Sequence, residues 1–179
     1  MVGPPLPRFL LAALFVVVAA CGRVDPAVYE GQPPSLDLRD FLQGGLTGWG
    51  VFQDRSGEVT HRFRIDMQAS WEGDHCTFIE DFHFSDGRHQ RREWLLREES
   101  PGRFTALAND SAEPGEGQIY GNSLHWNYLL NTPTEHGVWP LRYDYWMYKI
   151  DERTLMNRAR VSLYGVEVGQ VSVLFQRER

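Results

Sequence analysis

The sequence predicts an all-β protein, an antiparallel up-and-down β-barrel, and three observations carry that expectation. Val59, His61, Phe63, Ile65 and Met67 alternate with Thr60, Arg62, Arg64, Asp66 and Gln68, the period-two pattern of a strand with one buried face. Turn-forming clusters then recur at near-regular spacing to the end of the chain. No internal segment has the 3.6-residue periodicity of a long amphipathic helix. Closing such a sheet removes the exposed edges that invite aggregation. About eight or nine strands are expected, with a β-sandwich as the alternative.

The first element reads as a processing signal. Arg8 is followed by the twelve apolar residues Phe9 to Ala20, too few for the roughly 20 that a membrane-spanning helix needs. A basic start, an apolar middle and a small-residue end match a secretory signal peptide over residues 1–20. Val18-Ala19-Ala20-Cys21 resembles a bacterial lipobox. That resemblance implies that Cys21 is acylated and begins the mature chain, with its lipid chains as the membrane partner. Gly22 stands where aspartate would favour inner-membrane retention, which implies an outer-membrane lipoprotein facing the periplasm. An acylated Cys21 leaves Cys76 without a disulfide partner. Cys76 lies in a strand-like run, where it suits a small buried apolar residue.

Residues 21–36 carry Pro26, Pro33 and Pro34 without periodicity and read as a tether, leaving residues 37–179 as one barrel domain. Leu36 to Leu42 reads as a short helical turn that stops at Gly44-Gly45. Strands follow at 59–68 and 76–84, separated by a turn at Trp71-Glu72-Gly73-Asp74. Ser85-Asp86-Gly87-Arg88 is a hairpin signal and residues 89–98 return. After Ser100-Pro101-Gly102 comes a strand over 103–109. Residues 110–117, rich in Glu, Gly and Pro, read as a loop. Gln118 to Asn131 reads as one long strand bent at Gly121-Asn122. Strands at 139–150, 154–163 and 166–176 complete the series.

The chain holds 24 acidic and 18 basic residues, a net charge of −6. That balance argues against nucleic acid as a partner and against charge-driven adhesion to anionic lipid.

The stretch FLQGGLTGWG (41–50) resembles the start of lipocalin-like, or calycin, barrels. In those a tryptophan plugs one end, so the resemblance gives Trp49 that place, and barrels of this size enclose side chains or one small ligand. A wider resemblance runs from about Leu38 onward. The runs GWGVFQDRSG (48–57), IEDFHFSDG (79–87) with Arg91-Arg92-Glu93-Trp94, YGNSLHWNY (120–128), DYWMYKID (144–151) and NRARVSLYGVEVGQVSVLF (157–175) resemble an uncharacterised family of bacterial lipoproteins, a domain of unknown function. It implies no activity. Its pattern has two acids before the tryptophan, where this chain has Asp144 and then Tyr145 before Trp146.

The candidate site residues come from strand parity. Phe78, Glu80, Phe82 and Phe84 share one face, so an inward phenylalanine face buries the Glu80 carboxylate. A buried carboxylate needs a partner, and Arg92, Asn157 and Arg158 are the candidates. Asn157 shares its face with Leu155, Ala159, Val161 and Leu163. Asp144 shares its own with Trp146 and Tyr148. Glu80, Asp81, Arg92, Trp94, Asp144, Trp146, Asn157 and Arg158 thus form a candidate polar cluster, which either orients a ligand head group or fixes strand register.

No catalytic residue is expected. G-x-S-x-G is absent, and acid–base work by Glu80 and Asp144 requires both at one cavity. His61, His75, His83, His89, His125 and His136 lack metal-ligand spacing, although His83 and His89 flank one hairpin. No metal or cofactor is expected. The expected function is an outer-membrane-anchored, periplasm-facing lipoprotein whose barrel binds a small hydrophobic or lipid ligand, with the mouth near the bilayer. The alternative is a structural or interaction protein of the envelope with a filled core.

Overall fold

The computed structural model describes residues 24–134 and 136–178; the segment read as a signal peptide and Cys21 lie outside them. The strands are β1 (Gly44–Asp54), β2 (Val59–Glu72), β3 (His75–Phe84), β4 (His89–Ser100), β5 (Arg103–Ala108), β6 (Ser111–Tyr120), β7 (Ser123–Thr134), β8 (Gly137–Lys149), β9 (Thr154–Leu163) and β10 (Val166–Arg177). Each pairs antiparallel with its sequence neighbours, and β1 pairs with β10, closing the barrel. Closure excludes the sandwich.

Ten strands form, against an expectation of eight or nine, and the region from 110 to 131 holds most of the difference. The expected loop at 110–117 is most of β6, and the expected bend at Gly121-Asn122 is a tight turn between β6 and β7. Gly121 turns with a φ of 55° and lies against the backbone of Tyr29 and Gln32, so no side chain fits there. Strand β6 escapes period-two reading because its register shifts twice against β7. Its inward positions are Gly115 and Gly117, over which the Trp126 ring lies.

The strand pattern fixes what faces inward. Cross-strand neighbours such as Met67, Glu80 and Arg92 stand side by side on β2, β3 and β4, so parity on one strand sets it on the next. On β1 the inward positions include Gly48 and Gly50, whose missing side chains let Phe175 and Phe63 lie across the wall. Trp49 consequently points outward, 46% exposed, and does not plug the barrel.

The plug is the segment before β1. Helix α1 (Leu38–Phe41) is a single turn, capped by the Asp37 carboxylate accepting from the Arg39 and Asp40 amides. Leu38 and Phe41 are 2% and 1% exposed. The Trp71 indole N–H donates to the Leu42 carbonyl at 2.7 Å, and Arg39 pairs with Glu98 at 3.1 Å. These contacts seal one end of the barrel.

Residues 24–36 are more than a loose tether. Tyr29 packs on Trp146 and Tyr148 outside the wall, each at 5.6 Å between ring centroids. The Leu36 amide donates to the Gly121 carbonyl at 2.9 Å, and Lys149 Nζ donates to the Ser35 carbonyl at 3.2 Å. The segment is therefore strapped to the closed end.

Candidate functional site

The barrel is hollow. A cavity of about 1390 Å³ runs from α1 to the opposite end, where the β1–β2, β3–β4 and β7–β8 turns form the mouth. Leu38, Leu42, Leu96, Leu124 and Phe175 form its floor, and Phe52, Phe63, Phe82, Phe84 and His61 stand toward the mouth. The volume exceeds the roughly 300–1,000 Å³ of ordinary small-molecule pockets.

Between these apolar zones lies a polar belt. Glu80, 7% exposed, accepts from the Trp94 indole N–H at 2.9 Å on Oε2, and Arg92 Nη1 stands 3.8 Å from the same oxygen. The Arg92 guanidinium is held mainly by Asp110, with Nε at 3.0 Å and Nη2 at 2.9 Å. Its flat face lies over Phe82 and Trp94. One cation thus serves two carboxylates in a low-dielectric setting. Burial raises the Glu80 carboxyl above its ordinary range, and Arg92 with the Trp94 N–H offsets only part of that rise. Burial also works against the Arg92 charge, but Glu80 and Asp110 outweigh it and keep the guanidinium protonated. Across the interior, burial lifts the Tyr128 and Tyr145 phenols well above their usual range, so both stay neutral hydrogen-bonding groups.

The eight residues expected as one cluster divide between the two faces of the wall. Glu80, Arg92, Trp94 and Asn157 line the cavity. Both polar atoms of the Asn157 amide are buried with no hydrogen-bond partner among the described residues, as is the Trp126 indole nitrogen. Asp81 points outward to an exposed pair with Arg91 at 3.2 Å, and Arg158 reaches Gln170 outside the barrel at 3.0 Å.

Asp144 and Trp146 belong to a second, external cluster. His125 Nε2 donates to Asp144 at 2.7 Å, Arg160 pairs with it at 2.8 Å, and the His125 ring stacks on Trp146 at 4.2 Å. Burial tends to raise the Asp144 carboxyl, but the His125 and Arg160 hydrogen bonds outweigh it and hold the carboxyl below its ordinary range. Strands β3 and β8 are also diametrically opposed in the ring of ten. Glu80 and Asp144 therefore share no cavity, and acid–base action by that pair is excluded.

The remaining candidates are quickly placed. Cys76 is a buried free thiol, pushed up to about 11 by burial, as expected of an inert core residue. His83 and His89 meet across their hairpin at 3.1 Å, with Asp66 3.0 Å from His83. No metal-holding group of three or more ligand residues occurs among the described residues. Sequence reasoning missed Asp110, Tyr128 and Tyr145. The first sits in a turn, where parity gives no direction. The tyrosines lay within runs read for family resemblance, with no face assigned to them.

The sequence matches, over residues 15–177, the family described as "Protein of unknown function (DUF3833)". No curated protein matches it. Among solved structures, it is similar to the S-type phycobiliprotein lyase CPES from Guillardia theta, with 8% identity, a TM-score of 0.60, and 86% of this chain covering 97% of that one. It is also similar to Rv2717c from M. tuberculosis, with 17% identity, a TM-score of 0.55, and 77% of this chain covering 93% of that one. A third is a DUF3598-family protein of unknown function from Nostoc punctiforme, with 12% identity, a TM-score of 0.56, and 81% of this chain covering 50% of that one. At these identities the likeness is one of fold, a calycin or lipocalin-like barrel.

Proposed function

The chain belongs to the DUF3833 family of proteins of unknown function, and from that premise we propose that it is an envelope lipoprotein whose barrel binds a small, largely apolar molecule. The observation that carries this reading is the cavity of about 1390 Å³, open at one end and lined by aromatic and aliphatic side chains. A protein that used only its outer surface would gain stability from filling that space, because an unfilled interior forfeits packing contacts. Barrels of the same fold include one named as a phycobiliprotein lyase, which supports a barrel interior as a working site without identifying this ligand. We read the site as one of binding and not catalysis, with no cofactor. A signal peptide at 1–20 and acylation at Cys21 supply the anchor, and the outer membrane, on its periplasmic side, is the proposed location.

Native mass spectrometry of residues 22–179, the mature chain without its lipidated Cys21, secreted to the periplasm and purified gently, tests this. A stoichiometric added mass that is lost on denaturation is expected. A bare mass, with no uptake from an envelope lipid extract, would sink the binding reading and turn attention to protein partners.

A further inference from the structure

We infer that the ligand carries an N–H donor, an ammonium in the case of an amine, and that Glu80 receives it inside the barrel. The inference rests on the binding reading above. Both contacts to the Glu80 carboxylate fall on Oε2, from Trp94 at 2.9 Å and Arg92 at 3.8 Å. Oε1 receives no hydrogen bond from any described residue. Yet this side chain is more than nine-tenths buried and lines the cavity. While ionised this carboxylate accepts and does not donate, so Oε1 is left open to a donor from the cavity. A donor brought by the ligand completes it.

The surrounding charge selects the same chemistry. The Asp54, Glu80 and Asp86 carboxylates line the cavity with the Arg88 and Arg92 guanidinium groups and the His61 and His136 rings, and at the belt itself Asp110 adds a second carboxylate against the single Arg92 cation. Arg92 would be the natural reader of a fatty acid, but Asp110 already engages it through two nitrogens and its face lies against Phe82. An anionic head group entering this belt would meet an excess of carboxylates. An amine or another N–H donor meets an open acceptor, and its apolar body lies on Phe63, Phe82 and Phe84. The class of ligand is thus an apolar molecule with a basic or N–H-bearing group, and free fatty acids are disfavoured.

Displacement of the neutral dye Nile red from the mature chain at pH 7, by tetradecylamine, tetradecanol and tetradecanoate below their micelle-forming concentrations, tests this. Tetradecylamine is expected to displace the dye at a concentration about tenfold lower than tetradecanoate, as a charge-assisted hydrogen bond allows. Glu80→Gln keeps the side-chain shape and is expected to lose most of that preference, each competitor being read against the variant's own Nile red affinity. Equal or better displacement by tetradecanoate overturns the inference, as does an amine preference that survives in Glu80→Gln. Failure of the wild type to take up Nile red at all overturns the binding reading itself.

Discussion

Two of the arginine–carboxylate clusters in the wall of this barrel lie on opposite faces, and the same pair of functional groups behaves oppositely in them. Inside, Glu80 shares Arg92 with Asp110, and burial raises its carboxyl. Outside, Asp144 has Arg160 and His125 to itself, and they hold its carboxyl down. The donors differ little. What differs is how many carboxylates each cation must serve and how much water remains to help. The inner cluster is poised to accept another partner, while the outer one is satisfied.

Removing the cation from each cluster should give the largest contrast. Arg92→Leu leaves Glu80 and Asp110 without a counter-charge in the wall, and breaking a buried pair from one side costs about 3–5 kcal/mol. Arg160→Leu removes a 40% exposed side chain and should cost less than about 1 kcal/mol. Urea denaturation of both variants measures the difference; equal losses would mean that the inner cluster is hydrated and not dry.

The aromatic side of the outer cluster gives a smaller effect. Trp146 stacks on His125 and holds Tyr29, so Trp146→Ala should cost about 1 kcal/mol and make the segment around Pro26–Tyr29 susceptible to protease. Nile red affinity should not change, because Trp146 lies outside the wall. A large loss of dye binding in this variant would show that the two faces are coupled.

The subtlest contrast is in pH dependence, and its sign reverses between the clusters. A raised carboxyl favours the folded state in acid. The stability of the wild type relative to Glu80→Gln should therefore fall as pH rises from the ordinary value of 4.5 through the higher folded value. A lowered carboxyl does the opposite. The advantage of the wild type over Asp144→Asn should be full above the ordinary value of 3.8 and fade as pH drops through the lower folded value. Denaturation midpoints of the three proteins across acid pH decide it, and parallel slopes would contradict both assignments.

Parity made the inner cluster legible. Period-two alternation on β3 and β9 points Glu80 and Asn157 inward, and the cross-strand register then brings Arg92 beside Glu80. Parity could not place Asp144 and Trp146, because both faces of β8 are aromatic. Tyr143 and Tyr145 line the cavity while Trp146 and Tyr148 are covered from outside by Tyr29. That cover comes from a segment more than a hundred residues away, and local sequence carries no trace of it. Strand β6 was illegible for another reason. Its inward positions are glycines beneath the Trp126 and Tyr128 side chains, so the apolar half of the pattern is written on β7. The hollow interior was equally hidden, since the same aromatics would serve to fill a core.

An even number of strands wound up and down brings the start of β1 and the end of β10 to the same pole of the barrel. Here that pole is the sealed one, where Glu178 donates to the Gly45 carbonyl and Arg177 pairs with Asp40. Among the described residues the entrance is therefore composed of hairpin turns, and the plug is held at the opposite pole, in part by Arg177 on Asp40. Mutation can lengthen, shorten or recharge those turns with little penalty to closure, because a longer surface loop adds only a slow entropic cost. Such an architecture separates the part that must be kept from the part that is free to diverge. Related barrels could thus come to admit different molecules while retaining one scaffold.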